Sequence, residues 1–142
     1  MNNLIKFFLF LFVSIFISFA SKAKKNETYY SKKFCVDLFS GIPEDPIKNN
    51  DKIIARIDCS TTTKVMEFGW AEKDIFNNIG QALFYSAKSN KSPTIVLLIK
   101  EDIEEKDIIK SIRKIEDVNS AFGLNIEIIL LKIPNGEILK YN

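Results

Sequence analysis

The stretch Arg56-Ile57-Asp58-Cys59-Ser60-Thr61-Thr62-Thr63-Lys64-Val65-Met66-Glu67-Phe68-Gly69-Trp70-Ala71 decides how the chain folds. Leading into it, Ile53, Ala55, Ile57 and Cys59 alternate with Ile54, Arg56 and Asp58, the period of two that marks a strand. Val65, Glu67, Gly69 and Ala71 alternate in the same way with Met66, Phe68 and Trp70. The short Ser-Thr-Thr-Thr-Lys segment between them suits a turn, so residues 53–59 and 65–71 are predicted to form a hairpin. Such a hairpin brings the carboxylates of Asp58 and Glu67 together, and that pairing is the main chemical clue in the chain.

Working outward, residues 72–89 carry Ile75, Phe76, Ile79, Leu83 and Ala87 on one wide apolar face, which predicts a helix leaving directly from the Glu67 strand. Lys73, Asn77 and Gln81 follow at four-residue spacing along its edge, where they form either a solvated flank or a wall above the acids. Gly80, costly inside a helix by roughly 1 kcal/mol relative to Ala, suggests a close backbone approach. Pro93 and Thr94 open a continuous apolar strand over 95–99, of the kind buried on both faces. Ile108, Ile112, Ile115, Val118 and Phe122 predict a helix over 103–122 closed by Gly123, and 126–133 reads as a second apolar strand before a short tail.

Upstream, Tyr29, Tyr30, Phe34, Leu38 and Phe39 lie close to a helical face over 27–40, with Gly41 as the expected C-terminal cap. Residues 42–50, with Pro43 and Pro46, read as a turn-rich connector with room for one short strand. The fold class expected is therefore α/β, a mixed central sheet with flanking helices in the order α-β-β-(β)-α-β-α-β.

Residues 1–23 have the pattern of a signal peptide: Lys6, an apolar run over 7–17, and small residues at Ser18-Phe19-Ala20 or Ser21-Lys22-Ala23. The run is short for an uncleaved anchor, which needs roughly 20 apolar residues. An exported protein, periplasmic or secreted, without stable membrane insertion after cleavage is expected, with residues 24–142 forming a single domain of about 120 residues. Lys6 and Lys22 leave with the signal, so the twenty basic residues fall to eighteen against eighteen acidic ones. A neutral chain carries no global electrostatic footprint for nucleic acid, and any such binding must come from a local patch.

There is no histidine and no Cys-x-x-Cys, which excludes a Ser-His-Asp triad, a His-bearing zinc site and a thioredoxin-type site. A metal bound by the remaining carboxylates and carbonyls would be a hard one: magnesium, manganese or calcium. Cys35 and Cys59 meet an oxidising compartment on export and can pair there as a structural staple, closing a loop of about two dozen residues worth roughly 3 kcal/mol.

The order of a helix, a strand ending in Asp, a hairpin to a Glu-bearing strand, a helix with a glutamine and a buried strand resembles the restriction-endonuclease-like, or PD-(D/E)XK, nuclease superfamily. Phe34-Cys35, Gly41 to Glu44, Arg56-Ile57-Asp58-Cys59, Glu67-Phe68 and Ile79-Gly80-Gln81-Ala82-Leu83-Phe84-Tyr85 resemble small bacterial exported members of it, over roughly residues 29–99. The resemblance implies a magnesium- or manganese-dependent nuclease acting on nucleic acid outside the cytoplasm. Asp58 and Glu67 would hold the metal with the carbonyl of Phe68. Glu44 would be the acid ahead of the hairpin, Gln81 the helix glutamine at the site, and Arg56 a neighbour that orients a phosphate. Gly69 departs from the pattern, since that superfamily places Lys or another polar residue there. Lys73, expected in the first helical turn, would have to reach back to supply the catalytic cation. The alternative expectation is a catalytically degenerate relative that serves as an exported binding domain, and the plainest is a domain whose acids only close the hairpin. Trp70 and Tyr85 read first as packing residues.

Overall fold

The computed structural model describes residues 26–140; the predicted signal segment and the last two residues lie outside them. The chain runs α1 (Glu27–Asp37), β1 (Ile42–Asn49), β2 (Lys52–Ser60), β3 (Lys64–Trp70), α2 (Phe76–Ser89), β4 (Ser92–Ile99), α3 (Glu105–Phe122), β5 (Glu127–Lys132) and β6 (Glu137–Leu139). The six strands form one sheet in the order β1-β2-β3-β4-β5-β6. β1, β2 and β3 are antiparallel neighbours, β3, β4 and β5 are parallel, and β6 returns antiparallel to β5. The expected mixed sheet with flanking helices is present, with the bracketed strand formed in full and a short β6 added.

Alternation along β4 divides the core between the two faces of the sheet. Val96 and Leu98 pack with Phe34, Met66, Phe68, Trp70 and Leu131 beneath α1. Ile95, Leu97 and Ile99 pack with Ile75, Ile79, Ala82, Ile112 and Ile115, so α2 and α3 share the other face. From Thr94 onward β4 is buried on both, in keeping with its uninterrupted Ile, Val and Leu over 95–99. No helix among the described residues is long and apolar enough to cross a membrane.

Several local expectations are corrected. Residues 42–49 form a full eight-residue strand, longer than the one short strand expected within a turn-rich connector. β1 is an edge strand, paired with β2 alone, and sheet edges are where prolines such as Pro43 and Pro46 are tolerated. Asn50 and Asp51, both left-handed at φ 47° and 61°, close the β1–β2 hairpin as a two-residue turn. Gly41 does not cap α1. Leu38 closes that helix by donating to the Phe34 carbonyl, and Gly41 instead lies against the disulfide, where a Cβ would come within 2.6 Å of Cys59 Sγ.

α2 starts at Phe76, four residues later than expected. Residues 71–74 make a turn in which the Lys73 N–H donates to the Trp70 carbonyl, and Asp74 Oδ1 accepts the Phe76 N–H at 3.2 Å. The Asp74 side chain thus satisfies one donor at the helix entrance. Lys73 is therefore outside the helix.

Candidate functional site

β2 and β3 part company at the acids. The ladder between them pairs Ser60 with Val65 and Cys59 with Met66, and one step further on the Asp58 carboxylate replaces the backbone, its Oδ2 accepting the Phe68 N–H at 3.0 Å. On the other side of β2, the regular pairs Pro43–Cys59 and Asp45–Ile57 flank Glu44, whose φ of 55° is left-handed. The strict alternation expected along residues 53–59 breaks here. Cys59 packs with Phe34, Cys35 and Phe68, whereas Ile57 packs with Val65 and Tyr85 on the opposite face. The break turns the Asp58 side chain into the fork between the strands.

Cys35 and Cys59 form a disulfide, with Sγ atoms 2.13 Å apart and Cα atoms 5.3 Å apart. Both residues are fully buried, so the bond ties α1 to the residue next to Asp58.

Glu67 is 5% exposed, and its Oε2 has no hydrogen-bond partner among the described residues. Burial, reinforced by the charges of Asp58 and then Glu27, pushes its carboxyl up to about 9. Burial also lifts Asp58, to about 6, against the Phe68 N–H that favours its charged form, with Glu27 and Glu44 adding repulsion. Glu27, at the start of α1, is raised by burial against the opposing charge of Lys73. Tyr85 is pushed up to about 12 by burial and by the charges of Glu67, Asp58 and Glu44. These groups respond to one another's charge, and no cation is among those acting on Asp58 or Glu67.

The helix row that faces the acids is Asn78, Gln81 and Tyr85, at i, i+3 and i+7, instead of Lys73, Asn77 and Gln81. Gln81 Oε1 accepts from the Tyr85 hydroxyl at 3.4 Å. Asn78 Nδ2 donates to the Phe68 carbonyl at 3.0 Å. Asn77 is exposed. Four-residue spacing counted from Lys73 points to Asn77; in the helix that begins at Phe76, Asn78 is the residue that reaches β3.

Gly69 explains itself in the same place. A Cβ on it would lie 2.5 Å from Asn78 Nδ2, so the absent side chain leaves room for the asparagine amide. Gly80, by contrast, has nothing within 4 Å of a Cβ, and the close approach expected there does not exist.

The remaining expected site residues are placed as follows. Glu44 is half-buried, its charge reaches Asp58, and its carboxylate stands 4.0 Å from Lys32 Nζ. Arg56 is exposed and donates to the Glu44 carbonyl at 3.3 Å, so it is tied to the β1 backbone. Lys73 is exposed and lines a cleft of about 390 Å³ with Asp74, Asp107, Lys110 and Lys114, and its charge reaches Glu27, which in turn acts on Asp58 and Glu67.

The donor set for a metal is small. Among the described residues no group of three or more His, Cys, Asp or Glu side chains is placed to hold an ion. What is available is the Asp58–Glu67 pair and the Phe68 carbonyl beside them. That is compatible with magnesium or manganese, which are held by one or two carboxylates with water completing the shell, and poor for calcium or zinc.

No protein-family model, curated protein or solved structure matches the chain.

Proposed function

We propose that this chain is an exported restriction-endonuclease-like domain that binds magnesium or manganese at Asp58 and Glu67 and hydrolyses phosphodiester bonds in nucleic acid. The observation that carries the proposal is the buried, unpartnered Oε2 of Glu67 beside a second carboxylate. A buried carboxyl oxygen without a hydrogen-bond partner is expensive, and proteins retain one where a ligand supplies the missing interaction. A divalent ion would neutralise the pair and polarise a phosphoryl oxygen.

The chain's own groups would do the rest. Asp58 holds the β3 backbone at Phe68 through Oδ2, and its other oxygen would serve the ion. Gln81, held by Tyr85, offers its amide as a donor for a phosphate oxygen or a water. Glu44 adds negative charge that strengthens attraction for a cation. The element order α-β-β-β-α-β supports the superfamily assignment, and the disulfide accords with an oxidising compartment.

A second reading, a catalytically silent relative that uses the same fork to bind a partner, is favoured by one specific arrangement. The room that a side chain at position 69 would need is taken by the neutral amide of Asn78, and Lys73 lies outside α2, exposed in the turn ahead of it. Incubation with single- and double-stranded DNA and RNA in magnesium or manganese, beside Asp58→Ala, separates the two. Cleavage by the parent chain alone is expected of the nuclease. Equal background from both proteins, or none from either, leaves the silent domain.

A further inference from the structure

We propose that Asn78 is the positioning residue of this cation site, holding the Phe68 carbonyl as the third protein oxygen beside Asp58 and Glu67. The proposal rests on the reading of that pair as a divalent-cation site.

Phe68 lies between Glu67 and Gly69, just past the point where the ladder from β2 stops at Cys59–Met66. On that side both of its backbone groups are taken up by side chains. Its N–H goes to Asp58 Oδ2 at 3.0 Å and its carbonyl accepts from Asn78 Nδ2 at 3.0 Å. Two side chains from two different elements thus clamp one residue of the ligand-bearing strand. A carbonyl oxygen has two lone pairs, so the amide occupies one and leaves the other for an ion. The amide is neutral and adds no positive charge to compete with a cation, as a lysine in the same place would. Half-buried Asn78 reaches the carbonyl only because position 69 has no side chain. Gly69 and Asn78 therefore form one device: the glycine makes the room and the amide fixes the oxygen.

Groups that orient metal ligands typically change affinity by about 10- to 100-fold when removed. The test uses the purified, disulfide-bonded chain and manganese ion alone as probe, with affinity read from the electron paramagnetic resonance signal of unbound Mn²⁺. Asn78→Ala is expected to weaken binding by about 10- to 100-fold. Asn78→Gln, which keeps the amide, recovers part of that loss, and Asn77→Ala, one residue away and exposed, changes nothing. Urea unfolding of each variant separates weakened binding from a weakened fold, and Asn78→Ser serves the same comparison if Asn78→Ala does not fold. Affinity in Asn78→Ala within twofold of the parent, while Asp58→Ala loses binding, would overturn the role of Asn78 and leave the cation site standing. Absence of Mn²⁺ binding by the parent, or binding indifferent to Asp58→Ala, would remove the cation site and this proposal with it.

Discussion

The amide of Asn78 stands where a side chain on Gly69 would have to begin, 2.5 Å from the position of its Cβ. A methyl group there would push the amide aside and break its bond to the Phe68 carbonyl. Gly69→Ala should therefore cost about 1 kcal/mol, the worth of a typical net hydrogen bond. In an Asn78→Ala background the same change should cost far less, because the displaced group is already gone. Urea unfolding of the two single variants and the double variant measures this coupling directly. Additive losses would mean that the two positions act independently.

Stability should fall as pH rises. Glu67 is lifted from its ordinary 4.5 to about 9 and Asp58 from 3.8 to about 6, so the folded chain binds these protons more tightly than the unfolded one. Their unfavourable contribution is absent below the unfolded values. It grows from about pH 4 through the folded values and is complete above about pH 9. Glu67→Gln, which keeps the shape and removes the charge, should flatten the slope and stabilise the metal-free protein at pH 8 by a few kcal/mol. A urea-midpoint series from pH 5 to pH 9, with chelator present, shows whether the parent keeps losing stability up to pH 9 while the variant retains only the fall due to Asp58, complete above about pH 6.

Gly80 lies on the exposed side of α2 with open space around it. Gly80→Ala should stabilise the fold by about 0.5 to 1 kcal/mol through helix propensity alone. Its thermal midpoint should rise with no change in cation affinity. A fall would point to a tight contact that the structure does not contain.

Replacing Cys35 and Cys59 together by serine should cost about 3 kcal/mol, from the loss of a bond closing a loop with a sequence separation of 24. The effect on the site should exceed that of an equally destabilising change remote from it, because Cys59 adjoins Asp58. Mn²⁺ affinity compared with that of Ile115→Ala, whose side chain is buried between α3 and the sheet, isolates the local part.

The hairpin, the order of the elements and the two-sided burial of β4 were legible because each is written in a short period: two for the strands, three to four for the helices, none for a strand covered on both faces. Three details were not. Pro43 and Pro46 speak against a strand, and the position of β1 at the sheet edge, which no local pattern announces, makes them tolerable. α2 starts at Phe76, beyond a turn in which the Asp74 side chain accepts the Phe76 N–H, and the residue that reaches the Phe68 carbonyl is Asn78 and not Asn77. Gly69 and Gly80 exchanged meanings: the one that looked like a lost catalytic residue makes room for Asn78, and the one that looked crowded faces open space. Contacts between a strand glycine and a helix asparagine nine positions away leave no periodic trace.

Calorimetric titration of the chain with Mn²⁺ at pH 7, in buffers of different ionisation enthalpy, tests the Asp58–Glu67 site most directly. Glu67, raised to about 9, carries a proton at that pH and must give it up to bind a cation. One Mn²⁺ should bind per chain with release of about one proton, and Glu67→Gln should abolish both the binding and the proton release. Absence of binding, or binding that Glu67→Gln leaves unchanged, would contradict a cation site at these two carboxylates.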